Sequence, residues 1–350
     1  MDKQALHEAI KKGDFPTEIS LSGGDYSSTD LSGSMFVKLD FSGCNFSDSD
    51  LEQSYFIECN LENTTFDGSN LTSCNFSECK SSGSSFVNAN FARAGFGQSD
   101  MQRCLFSGSD ISEISFDHCD LKDAQFVDCN TYMTNFLNCS LVNASFQQAN
   151  AERATFLECD MREINLHDAI LLQTHFEKPV IPDYDFSGMD LTLVQFREAD
   201  LVRCNFTGSN LTKAFFMNAR LEESRFDKAQ ADFAIFSGAR LLGSSFRQAS
   251  LTACSMQEAE LIGVDFSDAS MEQAQLTESK CDGAIFASAH LDYADFSNSS
   301  LKNCDFTQAS LYRTNLHDVD SSDVIWSGSS KAQALPTDQK RYRAQHWSPK

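Results

Sequence analysis

The residues of this chain that could do chemistry are thirteen cysteines, seven histidines and fifty carboxylates. Cysteine and histidine are the usual ligands of transition metals, an activated cysteine is a nucleophile, and paired carboxylates act as acid and base. Their spacing supports none of these roles. The histidines are scattered, no H-E-x-x-H pair occurs, and no G-x-x-x-x-G-K-S/T phosphate loop is present. The sequence therefore predicts a protein that is not an enzyme and holds no metal or cofactor.

Twelve of the thirteen cysteines occupy one position, two residues before a side chain that is in most cases Phe, Leu or Met. They are Cys44, Cys59, Cys74, Cys79, Cys104, Cys119, Cys129, Cys139, Cys159, Cys204, Cys254 and Cys304. A residue that recurs at one packing position acts as a small buried hydrophobe, which is a common role of free cysteine. Because Cys119, Cys139 and Cys159 are spaced by twenty residues, we expect them to stack as a ladder of thiols.

The cysteine content also bears on location. So many unpaired thiols predict a reducing, cytoplasmic environment. The N-terminus has no apolar run after its first lysines, so no secretory signal is predicted, and no apolar stretch approaches the length of a membrane span. Secretion by a route that needs no signal peptide is left open.

The element that must position these residues is a repeat of five, clearest in residues 40–76. A large apolar residue such as Phe46 or Leu51 follows a small residue two positions earlier, usually with Asn or Asp between them. The rule runs from Leu21 to Trp326 without insertion or deletion. Helices have a period of 3.6 and strands a period of 2, so a period of five requires a backbone that turns a corner once per repeat. Four corners close a coil of twenty residues.

This pattern resembles the pentapeptide-repeat family, whose motif is a small residue, Asn or Asp, Leu or Phe, and two variable residues. The resemblance covers residues 21–326. It implies an all-β solenoid, namely a right-handed quadrilateral parallel β-helix. Stacked coils at about 4.8 Å would then build one long rod whose interior is filled by side chains.

Three parts are predicted: a capping helix with its lead-in (1–20), the β-helix (21–326) and a basic C-terminal tail or cap (327–350). The segment DKQALHEAIKKG is predicted to form a short N-terminal helix with Asp2 as its N-cap. Such a helix would cover the apolar end and the unpaired backbone of the first coil.

One passage of the repeat body is irregular. Pro179 and Pro182 lie in EKPVIPDYDF, and proline cannot donate a hydrogen bond to a neighbouring strand. The passage still fills two whole repeats. The sequence therefore predicts a kink or a ledge at 177–185.

The distribution of charge along the sequence indicates that the outer surface of the solenoid carries the function. The net charge is −23; the repeat body is strongly acidic, and the tail is net basic. An acidic body repels nucleic acid and anionic membranes and attracts basic proteins, so no direct nucleic-acid binding is predicted. The alternative interpretation is that acidity only keeps a long solenoid in solution.

One edge of the coil, formed by the residues on either side of an inward site, concentrates acidic side chains. We call these residues the acidic edge: Glu58, Glu78, Asp100, Asp120, Glu158, Asp160, Glu198, Asp200, Glu258 and Glu260. Aspartate before a large apolar residue often serves a turn, which is a structural explanation. Glutamate has no such role, so the glutamates are the more informative members. Lysines and arginines, including Arg220 and Lys280, dilute the edge.

The sequence leaves several functions open. The first is a non-catalytic scaffold that presents a side or an end to a protein partner, as a monomer or an end-to-end homodimer. The resemblance implies a second, a DNA mimic that binds DNA gyrase or topoisomerase IV and protects it from quinolones or toxins. A third is a secreted bacterial effector or secretion accessory. In that case the tail, with Lys340, Arg341, Arg343 and Trp347, would be the recognition element.

Overall fold

A computed structural model describes residues 3–13 and 17–347 of the chain. The chain divides into two compact units, Met1–Val180 and Ile181–Lys350. The division falls within the irregular passage 177–185, where the kink stays a prediction. The two units are described separately below as unit 1 and unit 2.

A corner of the backbone recurs every five residues. Glu58, Asn63 and Gly68 have φ angles of 53°, 55° and 67°, the left-handed region that breaks an extended chain. Before the corner, Asn60 accepts a hydrogen bond through its side-chain oxygen from the Glu62 N–H at 3.2 Å. Each coil also bonds to the next along the chain. The backbone hydrogen bonds between coils therefore stabilise corners that most L-residues disfavour.

The described residues of unit 1 form one helix and one parallel sheet. Its elements are α1 (Lys3–Lys11), β1 (Met35–Val37), β2 (Tyr55–Ile57), β3 (Asn75–Ser77), β4 (Gly95–Gly97), β5 (Ser115–Asp117), β6 (Asn135–Leu137), β7 (Thr155–Leu157) and β8 (His175–Glu177). The strands lie side by side in sequence order. Each residue of a strand pairs with the residue twenty positions later in the next strand, as Phe36 does with Phe56. Isolated parallel bridges such as Asp50 with Asn70 join the other sides of the coils.

Helix α1 confirms the predicted N-terminal helix. Leu6 is fully buried, and Gly13 ends the segment with a φ of 71°. The ring Nδ1 of His7 lies 2.6 Å from the Asp30 carbonyl oxygen and ties the helix to the first coils. The predicted N-cap, Asp2, and part of the lead-in, residues 14–16, lie outside the described residues.

Unit 2 repeats the same coil. Its elements are β9 (Gln195–Arg197), a 3-10 helix (Lys331–Gln333) and α2 (Gln339–Gln345). Parallel bridges between residues twenty apart continue to Asn315 and Leu335, so pairing extends beyond the predicted end of the repeats at Trp326. Asp338 then caps α2 by accepting a hydrogen bond from the Lys340 N–H at 2.8 Å.

The interior of the coils is filled by phenylalanine. Phe56 and Phe76, on neighbouring coils, stack with ring centres 4.8 Å apart and planes at 3°. Phe56 and Phe66, on opposite sides of one coil, meet edge to face at 5.9 Å and 87°. Both arrangements suit the charge distribution of aromatic rings. All thirteen cysteines are free and buried, which confirms their predicted packing role. The parallel pairing of residues twenty apart confirms the β-helix as the fold.

Candidate functional site

The structure places the acidic edge in two rows. The first row contains Glu58, Glu78, Glu158, Glu198 and Glu258, all exposed corner residues with φ between 53° and 58°. The second row contains Asp100, Asp120, Asp160, Asp200 and Glu260, which are half-buried and lie two residues after a corner. The coil thus brings the predicted residues to one edge within each unit.

The aspartates of the second row also do structural work. The carboxylates of Asp100, Asp120 and Asp160 accept hydrogen bonds from the backbone N–H two residues later, at 3.1, 3.1 and 3.3 Å. The turn explanation therefore holds for these three side chains. Their charge is not required for it, because the Asn60 amide oxygen makes the same contact.

More than half of the acidic edge is neutralised by nearby cations. The pairs are Glu58–Lys38 at 3.8 Å, Glu158–Lys178 at 2.9 Å, Asp160–Arg162 at 2.5 Å, Glu198–Arg197 at 3.5 Å, Asp200–Arg220 at 2.7 Å and Glu260–Lys280 at 3.0 Å. Such exposed pairs stabilise a fold by about 0–1 kcal/mol each. Their larger effect here is on the surface, because the edge is not a continuous negative stripe.

In unit 2 the pairs join into a network through Glu222, a residue that the sequence analysis did not single out, although it expected arginines and lysines to dilute this edge. Glu222 lies 3.1 Å from Arg240 and 3.9 Å from Arg220, and these arginines also contact Glu260 and Asp200. The Glu222 side chain is only 14% exposed. The signal was present in the sequence, since opposite charges spaced by eighteen or twenty residues fall on neighbouring coils. The unit 2 part of the edge is therefore largely neutral.

The unit 1 part retains free negative charge. Among the residues that the structure describes, no cation lies within ion-pair distance of Glu78, Asp100 or Asp120. The Asp120 carboxylate accepts a hydrogen bond from the neutral side-chain amide of Gln102, at 2.8 Å. We call Glu78, Asp100 and Asp120 the unpaired acidic edge. Glu258 of unit 2 likewise forms no ion pair with any described residue.

The tail residues lie on and after α2. Lys340, Arg341 and Arg343 are exposed, and Trp347 is 73% exposed. Helix α2 is held to the coils through His317, whose ring Nε2 lies 2.8 Å from the Gln345 Oε1. The tail cations and Trp347 are thus accessible to a partner.

Unit 1 has two surface clefts with polar lining residues. One lies beside α1 and is lined by Lys3, Gln4, His7, Ser28, Thr29 and Asp30. The other lies on the coils and is lined by Asn90, Ala92, Arg93, Asp110, Ser112 and Glu113. Within residues 3–13 and 17–347, no cluster of three or more His, Cys, Asp or Glu side chains is arranged to hold a metal ion. No helix in these ranges has the length and hydrophobicity needed to cross a membrane.

The ion pair between Asp183 and Arg203 predicts that the stability of the fold depends on pH. The Arg203 guanidinium bonds both oxygens of Asp183, at 2.6 and 2.7 Å, and lowers the pKa of that carboxyl below its ordinary 3.8. The Asp183 carboxyl has a higher pKa in the unfolded chain than in the folded one, so as pH falls it is protonated first in the unfolded chain. The ion pair therefore stabilises the fold above about pH 4, and this stabilisation is lost at lower pH. Arg203→Gln should therefore lower unfolding free energy at pH 6, and the difference should shrink towards pH 2. Urea titrations at each pH measure it, and a difference independent of pH would contradict this assignment.

Comparison with known proteins identifies the repeat. The family described as Pentapeptide repeats (8 copies) matches 17–53, 44–80, 69–108, 190–227, 199–238, 216–252, 232–268, 254–292, 269–308 and 289–320. The family described as Pentapeptide repeat region matches 99–176 and 133–206. Together these matches cover residues 17–320 without a gap. The sequence has no significant match among curated proteins.

Solved structures of similar proteins include three of note. HetL, a pentapeptide repeat protein involved in heterocyst differentiation regulation from the cyanobacterium Nostoc sp. strain PCC 7120, is 16% identical over 97% of this chain and 98% of its own, with a TM-score of 0.18. QnrB1, a plasmid-mediated fluoroquinolone resistance protein, is 16% identical over 80% and 92%, with a TM-score of 0.15. A pentapeptide repeat protein from the Arabidopsis thaliana thylakoid lumen is 32% identical over 35% and 72%, with a TM-score of 0.15.

Proposed function

This chain belongs to the pentapeptide repeat family, and we propose that it is a non-catalytic scaffold that binds a protein partner through the unpaired acidic edge of unit 1. The observation that carries the proposal is the contrast within the acidic edge. Glu78, Asp100 and Asp120 keep free charge, whereas most of the other members are paired with cations of the same chain. A basic protein surface is the partner that this arrangement suits.

The geometry of the coils supports a binding role. Glu78, Asp100 and Asp120 lie on three successive coils, which stack at about 4.8 Å. The spacing therefore holds Asp100 and Asp120 in one row on the backbone of the coils, with Glu78 in the neighbouring row. Lys80 stands beside Asp100 in the same ladder, without an ion pair to it. Because these charges face water, they contribute mainly to the rate and selectivity of association, and salt screens them.

The first test removes charge and keeps shape. The triple variant Glu78→Gln, Asp100→Asn, Asp120→Asn keeps the side-chain oxygens that accept the turn hydrogen bonds. We expect partner capture from bacterial lysate to weaken about tenfold at low salt, since three exposed charges contribute about 0.5 kcal/mol each. The unmutated protein should also lose captured partner as salt rises from about 50 to 500 mM.

A matched control uses paired members of the same edge. The variant Glu158→Gln, Asp160→Asn, Glu198→Gln removes the same number of charges, but each is already neutralised by a cation. Capture by this control should change little. Equal loss in both variants would contradict the role of the unpaired acidic edge. Loss only in a third variant, with Lys340, Arg341 and Arg343 replaced by Gln, would assign binding to the tail.

A DNA mimic that binds DNA gyrase or topoisomerase IV, and protects it from quinolones or toxins, is the second candidate. Acidic side chains recurring at the spacing of the coils favour it. The ion pairs of the edge weigh against it, because they shorten the stretch of free negative charge. A supercoiling assay with purified gyrase at micromolar excess of this protein tests it. Unchanged gyrase activity would remove this candidate and leave the scaffold proposal standing.

A further inference from the structure

The parallel sheet of unit 1 has an outer face that no described element covers. In each strand the central residue points inward, as Phe36 and Phe56 do, and the first and third residues point outward. Met35 and Tyr55 are each 46% exposed on this face. The face therefore presents large apolar groups outside the packed core.

The third residues of β1 to β7 form a row with a symmetrical pattern. In order they are Val37, Ile57, Ser77, Gly97, Asp117, Leu137 and Leu157. Two apolar residues stand at each end, a polar residue follows on each side, and glycine is at the centre. Ile57 and Leu137 are each two strands from Gly97, and Val37 and Leu157 are each three strands away. The order of apolar, polar and glycine positions is therefore the same from either end of these seven strands. The row continues with a polar residue at each end, namely Thr17 beside Val37 and Glu177 beside Leu157.

The glycines of β4 need an explanation of their own. Gly95 and Gly97 do not adopt the left-handed conformation of the corner glycines, so their backbone does not require glycine. A side chain at Gly97 would meet open space. Glycine inside a strand weakens it, and it often marks a place where another backbone approaches closely. The centre of the symmetrical row is thus open to such an approach.

We propose that the outer face of this sheet binds a second copy of the chain in an antiparallel arrangement. A two-fold axis parallel to β4 lays one sheet on the other and reverses the order of the strands. Val37 then faces Leu157 of the second copy, and Ile57 faces Leu137 of the second copy. A two-fold interface requires a surface that is complementary to itself, and the symmetrical row meets this requirement.

The row of first residues agrees with the same axis. It contains Met35, Tyr55, Asn75, Gly95, Ser115, Asn135 and Thr155. The axis places Tyr55 opposite Asn135 of the second copy, where a hydroxyl meets an amide. It also places Gly95 opposite Gly95 of the second copy. Asn75 likewise faces Ser115 of the second copy, whereas Met35 at the end of this row faces the polar Thr155 of the second copy. The apolar ends face each other in the row of third residues.

The size of the face sets the strength of the dimer. Seven strands at about 4.8 Å, each about 10 Å long, give a contact of about 340 Å² per chain. Stable dimers bury about 800 Å² per partner. The dimer should therefore be weak and form at high protein concentration. Since each chain carries a net charge of −23, salt should strengthen the dimer by screening repulsion between copies.

This proposal goes beyond the scaffold function and does not depend on it. Sedimentation of the full chain at up to about 500 µM should show a monomer–dimer equilibrium that tightens with salt. Leu157→Glu should weaken the dimer at least about tenfold. Leu105→Glu is the matched control, because Leu105 is an exposed leucine on another side of the same unit and should leave the equilibrium unchanged. Gly97→Lys places a side chain in the open centre and should also block the dimer.

A double variant tests the direction of the two chains. Val37→Lys and Leu157→Glu should each disrupt the dimer alone, and the double variant should restore it through opposite charges. Within one chain these positions are six coils, or about 29 Å, apart, so they cannot pair with each other. A chain that stays monomeric at about 500 µM overturns the proposal. A dimer that survives Leu157→Glu, or one that the double variant does not restore, also overturns it, and the first of these outcomes points to end-to-end association.

Discussion

Replacing Phe106 with alanine should lower the free energy of unfolding by about 3–5 kcal/mol. The ring is fully buried and stacks between Phe86 at 5.1 Å and Phe126 at 4.9 Å. It also meets Phe96 and Phe116 edge to face. Removing it leaves a cavity that these rings cannot fill, because each is itself held between neighbours on the coils above and below.

Two variants control this result. Leu105→Ala changes the adjacent residue, whose side chain is 40% exposed, and should cost about 0.5 kcal/mol or less. Phe106→Leu should cost less than Phe106→Ala, because leucine is accepted at the equivalent place in another coil, where Leu166 is fully buried. Urea unfolding followed by circular dichroism measures all three. A loss below about 1 kcal/mol for Phe106→Ala would show that this ring is not packed as the structure describes.

The thirteen thiols should react with a maleimide at least about 10³-fold more slowly in the folded protein than in denaturant. The thiolate is the reactive form, and burial raises the pKa of Cys159 and Cys254 to about 12. At pH 8 a thiol with that pKa is ionised only to about one part in 10⁴. Each thiol is also 2% exposed or less, so the reagent needs the coils to open.

The stacked thiols supply an internal comparison. A hydrogen bond from Cys139 lowers the pKa of Cys119, and a hydrogen bond from Cys79 likewise lowers the pKa of Cys59. These hydrogen bonds exist only while the coils are closed, so the order of labelling in mild denaturant reports which coils open first. Mass spectrometry of partly labelled protein reads the order. Rapid labelling of most cysteines without denaturant would contradict their place in the core.

For the acidic edge, the sequence predicted the positions of the residues but not their ion pairs. The coil period alone placed Glu158 and Glu198 in one row, and the structure agrees. The sequence indicated that lysines and arginines, Lys178 among them, dilute the edge, but it did not show that Lys178 and Arg197 form ion pairs with these glutamates, because the reach of a long side chain depends on its rotamer. The same spacing of twenty residues would have suggested the pair Glu158–Lys178 had it been applied to charges as well as to apolar residues.

By itself, the sequence determined the coil, its inward phenylalanines and its buried cysteines. It did so because a strict period of five sends every fifth residue to the same side of a backbone that turns at regular corners. Only the tertiary structure decided which surface charges stay free, that pairing continues to Leu335 and that the tail forms α2. These features depend on contacts between residues on different coils, or on a segment that has lost the period, and no local rule of spacing specifies them.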